Sequence, residues 1–233
     1  MFNRKSARIT ILTMVIVALL ALTLSVNFAA KAQESKSDSS TPIVGIYGQL
    51  SARWWEWITS IPWDENPGNA EGYFDASVGQ EGFVWFLAGT FGDGPVVREC
   101  TIPKGKYLFF PVINYFGWSP DDGKIREIRA FAEWIMNKMT DVQCTVDGIP
   151  MNIVRTGSPA FGFVNVIGYD LDYDGEMTEN DVKRNVCASD GYFVLVTPLP
   201  PGNHQIHFYG ALYVPEWQWG FEVDVTFNIT VVE

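Results

Sequence analysis

Two histidines and three cysteines in 233 residues leave this chain short of the side chains that most catalytic and metal centres use. No Cys-x-x-Cys pair exists among Cys100, Cys144 and Cys187, so a zinc knuckle or a dithiol redox centre has no ligands. His204 and His207 lie three apart; on a strand they point to opposite faces and do not share a metal. A Ser-His-Asp triad would have to draw on one of them, and no Gly-x-Ser-x-Gly elbow is present to carry the serine. Basic side chains are also scarce, with 16 Lys and Arg against 27 Asp and Glu and a formal net charge of −11. Such a surface repels phosphate backbones and anionic lipid, which excludes nucleic acid and leaves cations and neutral ligands such as glycans. After residue 28 no apolar run is long enough to cross a bilayer.

What the chain does have begins with an export leader. Arg4, Lys5 and Arg8 precede an apolar run over 9–28, and Ala30-Lys31-Ala32 offers the small-x-small pattern of a signal peptidase site, with the cut before Gln33. The alternative is an uncleaved anchor, since about twenty apolar residues can span a bilayer; the polar run that follows the site favours cleavage. No cysteine follows the run to take a lipid. All 27 acidic residues and all but four of the 16 basic ones fall after the cut, so the mature chain of roughly 200 residues carries a net charge of about −15. The expected organisation is a signal peptide over 1–32, a disordered leader over 33–41, and one β domain over 42–233 carrying an inserted loop at about 168–188. The destination is secreted, periplasmic or cell-envelope. Export permits a disulfide. Cys100 shares strand parity with Val96 and Ile102, and Cys144 with Val142 and Val146. A Cys100–Cys144 bridge is one expectation, a bridge from Cys187 to either partner a second, and three buried thiols a third.

Within the mature chain, Tyr47, Leu50, Trp54, Trp57, Ile58 and Ile61 fall on one stripe at helical spacing, which predicts a helix over 47–61 ended by Pro62. Trp54 and Trp57 read as core; Trp55 sits at the edge of the stripe and reads as the exposed one. Residues 64–80 form a long Gly-, Asn- and Pro-rich loop. Strands are predicted over 83–90, 96–102 and 107–113. Ser119-Pro120-Asp121-Asp122 starts a second helix running to about Met139, with Ser119 as its N-cap. Asp147-Gly148 between two apolar runs is a hairpin turn. Strands follow over 160–167, 192–196 and 204–209, and over 221–231, where alternation is strict and Gly220 is expected to bend the entering chain. About nine strands with no βαβ alternation predict a mainly β fold, an antiparallel sandwich or jelly roll with two peripheral helices.

The stretch over 170–181 states a chemistry. Asp170, Asp172 and Asp174 place side-chain oxygens at alternate positions, Gly175 permits a sharp turn, Glu176 offers its carbonyl, Thr178 its hydroxyl or a bound water, and Asp181 closes the shell. Calcium takes six to eight such hard oxygens. The stretch over 170–186 resembles the calcium loop of EF-hand proteins and, more closely, of dockerin modules, which also close on aspartate and lead into a helix. EF-hand loops end in glutamate, so the resemblance implies a weaker site suited to the calcium outside cells. The approach to Asp170 reads as strand, and one loop stands where those families carry two. The resemblance therefore implies ion binding in a structural role and neither sensing nor module docking.

A wider resemblance rests on Trp54-Trp55-Glu56-Trp57, Val84-Trp85-Phe86-Leu87-Ala88-Gly89-Thr90-Phe91-Gly92, Cys100-Thr101-Ile102-Pro103-Lys104-Gly105-Lys106, Phe109-Phe110-Pro111-Val112-Ile113-Asn114, Asp190-Gly191-Tyr192 and Pro201-Gly202-Asn203-His204. Together these are similar to a family of secreted bacterial proteins; the resemblance implies export and one domain, and no activity. Three functions stay open: a non-enzymatic calcium-holding binding module for glycan or envelope material, a glycan-directed hydrolase with paired carboxylates near residues 64–80, and a purely structural envelope protein. No residue is singled out as catalytic.

Overall fold

The strict alternation of the last strand, the turn chemistry of Asp147-Gly148 and the doubly apolar centre of the chain resolve into two stacked sheets and a helix laid on one of them. The computed structural model describes residues 42–91, 94–119, 124–168 and 185–233. The expected signal peptide, the leader over 33–41 and the acidic loop over 170–181 lie outside the described residues.

Among the described residues, the helices are α1 (Pro42–Thr59) and α2 (Ile125–Met136). The strands are β1 (Gly72–Tyr73), β2 (Val84–Phe86), β3 (Pro95–Pro103), β4 (Tyr107–Ser119), β5 (Met139–Val146), β6 (Ile149–Pro150), β7 (Val154–Gly157), β8 (Phe161–Phe163), β9 (Asn185–Val196), β10 (Gly202–Val214) and β11 (Trp219–Val232). One sheet has the order β1-β3-β11-β10-β5-β6, the other β2-β4-β9-β7 with β8 also on β9. The fold is mainly β and sandwich-like, as expected. The sheets are mixed, however: β1–β3, β3–β11 and β2–β4 run parallel. Alternation shows which face of a strand is buried and is silent on the direction of its neighbour.

The six-stranded sheet turns Ile206, Phe208, Val225, Phe227 and Ile229 inward, fully or almost fully buried against Leu108, Phe110 and Val194 of the other sheet. The opposite face of the five-stranded sheet presents Phe109, Phe193 and Cys187 to α1. That sheet is thus covered on both sides, which explains the unbroken apolar run of β4. Over 45–59 helix α1 exposes Gly45, Ile46, Gln49, Arg53 and Glu56 and buries the rest. Trp55, expected at the exposed edge, is buried, because β4 and the strands β7 to β9 wrap more of the helix than a single stripe would need.

Other expectations shift in detail. Asp147 (φ 51°) and Gly148 (φ 77°) form the primed turn of the β5–β6 hairpin. Ser119 ends β4, paired with Val186, and is not a helix cap; α2 begins after Lys124 with no side-chain cap. Gly220 does not interrupt β11, which pairs with β10 from Trp219 onward; the chain reverses instead at Gln218, which is left-handed. The strand expected over 83–90 ends at Phe86, because the carbonyls of Leu87, Ala88 and Gly89 are taken by side chains of Trp54 and Arg98.

All three thiols are free and buried. Strands β11 and β10 stand between Cys100 on β3 and Cys144 on β5, so at about 4.8 Å per strand the two lie roughly 14 Å apart, beyond disulfide reach. Cys187 lies in the other core, under α1. Burial pushes the Cys100 and Cys144 thiols up to about 12.

Candidate functional site

The residues expected to hold calcium, Asp170, Asp172, Asp174, Glu176, Thr178 and Asp181, lie outside the described residues. Their stems do not. Phe163 of β8 pairs with Asn185 of β9, and the buried Ile167 donates its N–H to the Thr59 carbonyl at 3.0 Å. The described residues that precede the acidic stretch therefore run beside the C-terminal end of α1. Among the described residues no group of three His, Cys, Asp or Glu is arranged to hold a metal. His204 bonds Asp147 and the Pro200 carbonyl, while His207 bonds Asp224; they face separate partners.

A cavity of about 140 Å³ opens where the two cores meet. Its origin lies in β4. Strand β2 stops pairing with β4 at Phe109, so beyond that point one edge of β4 has no neighbouring strand among the described residues. Pro111, which has no N–H to offer a neighbour, sits at the start of this edge. The register on β9 then slips between Pro111 and Ile113. The slip changes the parity: Leu108, Phe110 and Val112 face the other sheet before it, and Ile113 and Tyr115 after it. Phe116 and Trp118 turn towards α1.

Three other segments close the space: Trp54, Trp55 and Ile58 of α1, residues 88–91 after β2, and Leu212, Trp219, Phe221 and Val223 from β10 and β11. The half-buried rings of Phe91, Trp118, Trp219 and Phe221 form its outer side. Among the described residues that line it none is an ionisable acid, base or thiol, apart from the phenol of Tyr115, which burial pushes well above its usual range. Close approach depends on glycine at two points. A Cβ at Gly210 would stand 2.7 Å from the Ile113 Cβ, and one at Gly68 would enter the Phe91 ring at 2.5 Å.

Buried polar groups fix the wall. Arg98 is fully buried, and its guanidinium donates to the carbonyls of Ala70 (2.7 Å), Ala88 (2.5 Å), Gly89 (3.1 Å) and Gly68 (2.8 Å), with Phe227 beneath it at 5.5 Å. Burial lowers its pKa to about 10, so it stays charged at neutral pH. Asn66 donates to the Ile58 and Ile61 carbonyls at the end of α1 and accepts from the Gly68 N–H. The Trp54 indole donates to the Leu87 carbonyl at 2.8 Å and that of Trp57 to Val78 at 3.0 Å. The Trp55 indole N–H and the Asn114 amide nitrogen, both on residues that line the cavity, have no partner.

Sequence reasoning did not find Arg98, Asn66 or Asn114. Arg98 has a signal: it shares the inward parity of Val96, Cys100 and Ile102. Asn114 has a weaker one, an amide inside an apolar strand. Asn66 has none, being one polar residue in a polar loop. Comparison with family models, with curated proteins and with solved structures returns no match.

Proposed function

We propose that this chain is an exported, non-enzymatic binding module whose apolar cavity receives a small molecule and whose acidic loop holds calcium as a structural clip. One observation carries the binding reading: an apolar pocket of about 140 Å³, with aromatic walls, lined by residues of both cores. A ligand seated there would remove apolar wall from contact with water. A hydrolase of the alternative kind needs two carboxyls facing the bond they cleave, and the described residues that line this cavity include no carboxyl.

The calcium clip is supported by the donor set, five side-chain or carbonyl oxygens about a glycine and closed by Asp181. Its position supports a structural role. An ion that orders the loop would hold Ile167, and through the Thr59 carbonyl the end of α1 beside cavity-lining Ile58.

A second reading, glycan or envelope material on the outer face, is favoured by a shallow polar groove of about 470 Å³ bordered by Tyr73, Glu99, Asn203, His204 and Asn228. Its side chains are already paired, Asn203 with Thr230, Gln205 with Asn228 and His204 with Asp147, so this reading ranks below the cavity.

The test is fluorescence titration of the mature protein with toluene, because Trp54, Trp55, Trp118 and Trp219 line the space. A saturable shift is expected. No response to toluene, together with retention on a glycan array, would move the site to the polar groove. Calorimetry with millimolar calcium checks the clip, and Asp172→Ala is expected to abolish the heat.

A further inference from the structure

We infer that the ligand of the cavity presents a flat aromatic ring, which seats between two banks of aromatic side chains that do not meet without it. The inference rests on the cavity reading above and names its ligand class.

On one bank α1 and β4 supply Trp54, Trp55 and Phe116, with Trp55 at 5.0 Å from Trp54 and at 4.0 Å from Phe116. On the other bank Phe91 follows β2, while Trp219 and Phe221 belong to β11, their rings near-parallel at 6.1 Å and 19°. All of these residues line the one cavity. Among the described residues no ring contact joins Trp54, Trp55 or Phe116 to Phe91, Trp219 or Phe221. Before its register slip β4 does make contacts between elements. Phe110 stacks on Phe208 of the facing sheet at 4.9 Å, and Phe109 on Phe193 of β9 at 5.4 Å. After the slip the two banks border the cavity without touching each other.

The second bank is open to a ligand and held in place. Phe91, Trp219 and Phe221 are half-buried, and Phe91 is braced by Trp63, stacked on it at 5.1 Å. Aromatic rings attract one another at centroid separations of about 4.5–7 Å, and each such pair adds roughly twofold to tenfold in affinity beyond the area it buries. A saturated ring of the same size gains the burial alone. The volume suits a single ring: a cavity of about 150 Å³ takes benzene, and this one measures about 140 Å³.

The test compares toluene with methylcyclohexane, which share a carbon skeleton and differ in aromaticity. Both are titrated into the mature protein by tryptophan fluorescence, and each affinity is divided by that compound's water-to-hexane partition constant, which removes the difference in hydrophobicity. The corrected affinity of toluene is expected to be at least about threefold higher. Phe221→Leu and, separately, Phe91→Leu should cut that preference at least about twofold. Phe83→Leu, at an exposed ring outside the cavity, should leave it unchanged. A measurement that needs no variant accompanies these: nuclear Overhauser contacts from the ring protons of bound toluene should reach both Phe116 and Phe221. Equal or tighter corrected binding of methylcyclohexane overturns this inference and leaves the cavity reading standing. So do contacts to one bank only, or a preference that survives both cavity substitutions. If neither compound binds, both readings fall.

Discussion

Gly89→Ala tests whether the space between α1, β4 and β11 is a void in solution. Gly89 lines the cavity and has an ordinary backbone conformation, absent from the positive-φ residues. A Cβ built there meets one atom within 4 Å, the Val223 Cγ1 at 3.4 Å, an ordinary van der Waals contact, and Val223 is itself a wall residue. The added methyl therefore enters the cavity without displacing anything. Replacing glycine by alanine where the backbone allows it stabilises by about 0.4–1 kcal/mol through the unfolded chain. Burying one further carbon adds about 0.8 kcal/mol. The sum, about 1.2–1.8 kcal/mol, corresponds to a Tm increase of roughly 3–6 °C for a chain of this length. The Arg98 bond to the Gly89 carbonyl is unaffected, because the methyl leaves the backbone in place. Thermal unfolding followed by circular dichroism reads the shift, and a toluene titration should show weaker binding in the same variant. A Tm lowered by more than about 2 °C would mean that the wall at residue 89 is already filled, and the cavity argument would fail.

Arg98→Met should destabilise the fold by at least about 3 kcal/mol in urea unfolding, since four buried carbonyls lose their donors; Arg98→Lys should recover little, because one ammonium does not reach acceptors on both segments. A loss under about 1 kcal/mol would refute the staple. Trp54→Phe should cost about 1–2 kcal/mol more than Trp55→Phe in the ligand-free protein, because only the first strands a buried carbonyl, that of Leu87; equal losses would contradict the assignment of the orphan indole. His204 should titrate by NMR above its ordinary 6.5, chiefly through its bond to Asp147, and fall back towards 6.5 in Asp147→Asn. Its folded pKa is raised, so its contribution to stability is complete below about 6.5 and is lost as pH rises through the folded value. Asp147 is held below its ordinary 3.8, first by the His204 bond, so its contribution is present above that value and is lost as pH falls through the folded pKa.

The parts of the fold legible in the sequence are those whose cause is local. Alternation from Phe221 to Val231 assigns the inner face of β11, because a strand has a period of two and one side of it meets the core. Asp147-Gly148 makes its turn because both positions need positive φ. The stripe from Tyr47 to Ile61 marks α1, although not how deeply Trp55 is sunk, since burial depends on what packs around the helix. The oxygen spacing of residues 170–181 is local in the same way and motivates the proposed calcium clip, but those residues lie outside the described ones.

The cavity is of another kind. Its walls come from segments centred near residues 56, 90, 114 and 218 together with Gly68, and no spacing in the chain links them. Parallel pairing of β3 with β11, the slip in β4 and the early end of β2 each follow from contacts between distant residues. Side-chain pattern therefore determined which strand faces meet the core, while tertiary structure alone decided how deeply Trp55 is sunk and where packing fails to close. A void depends on the shapes of surfaces brought together from afar, and a linear pattern carries only the polarity of each surface.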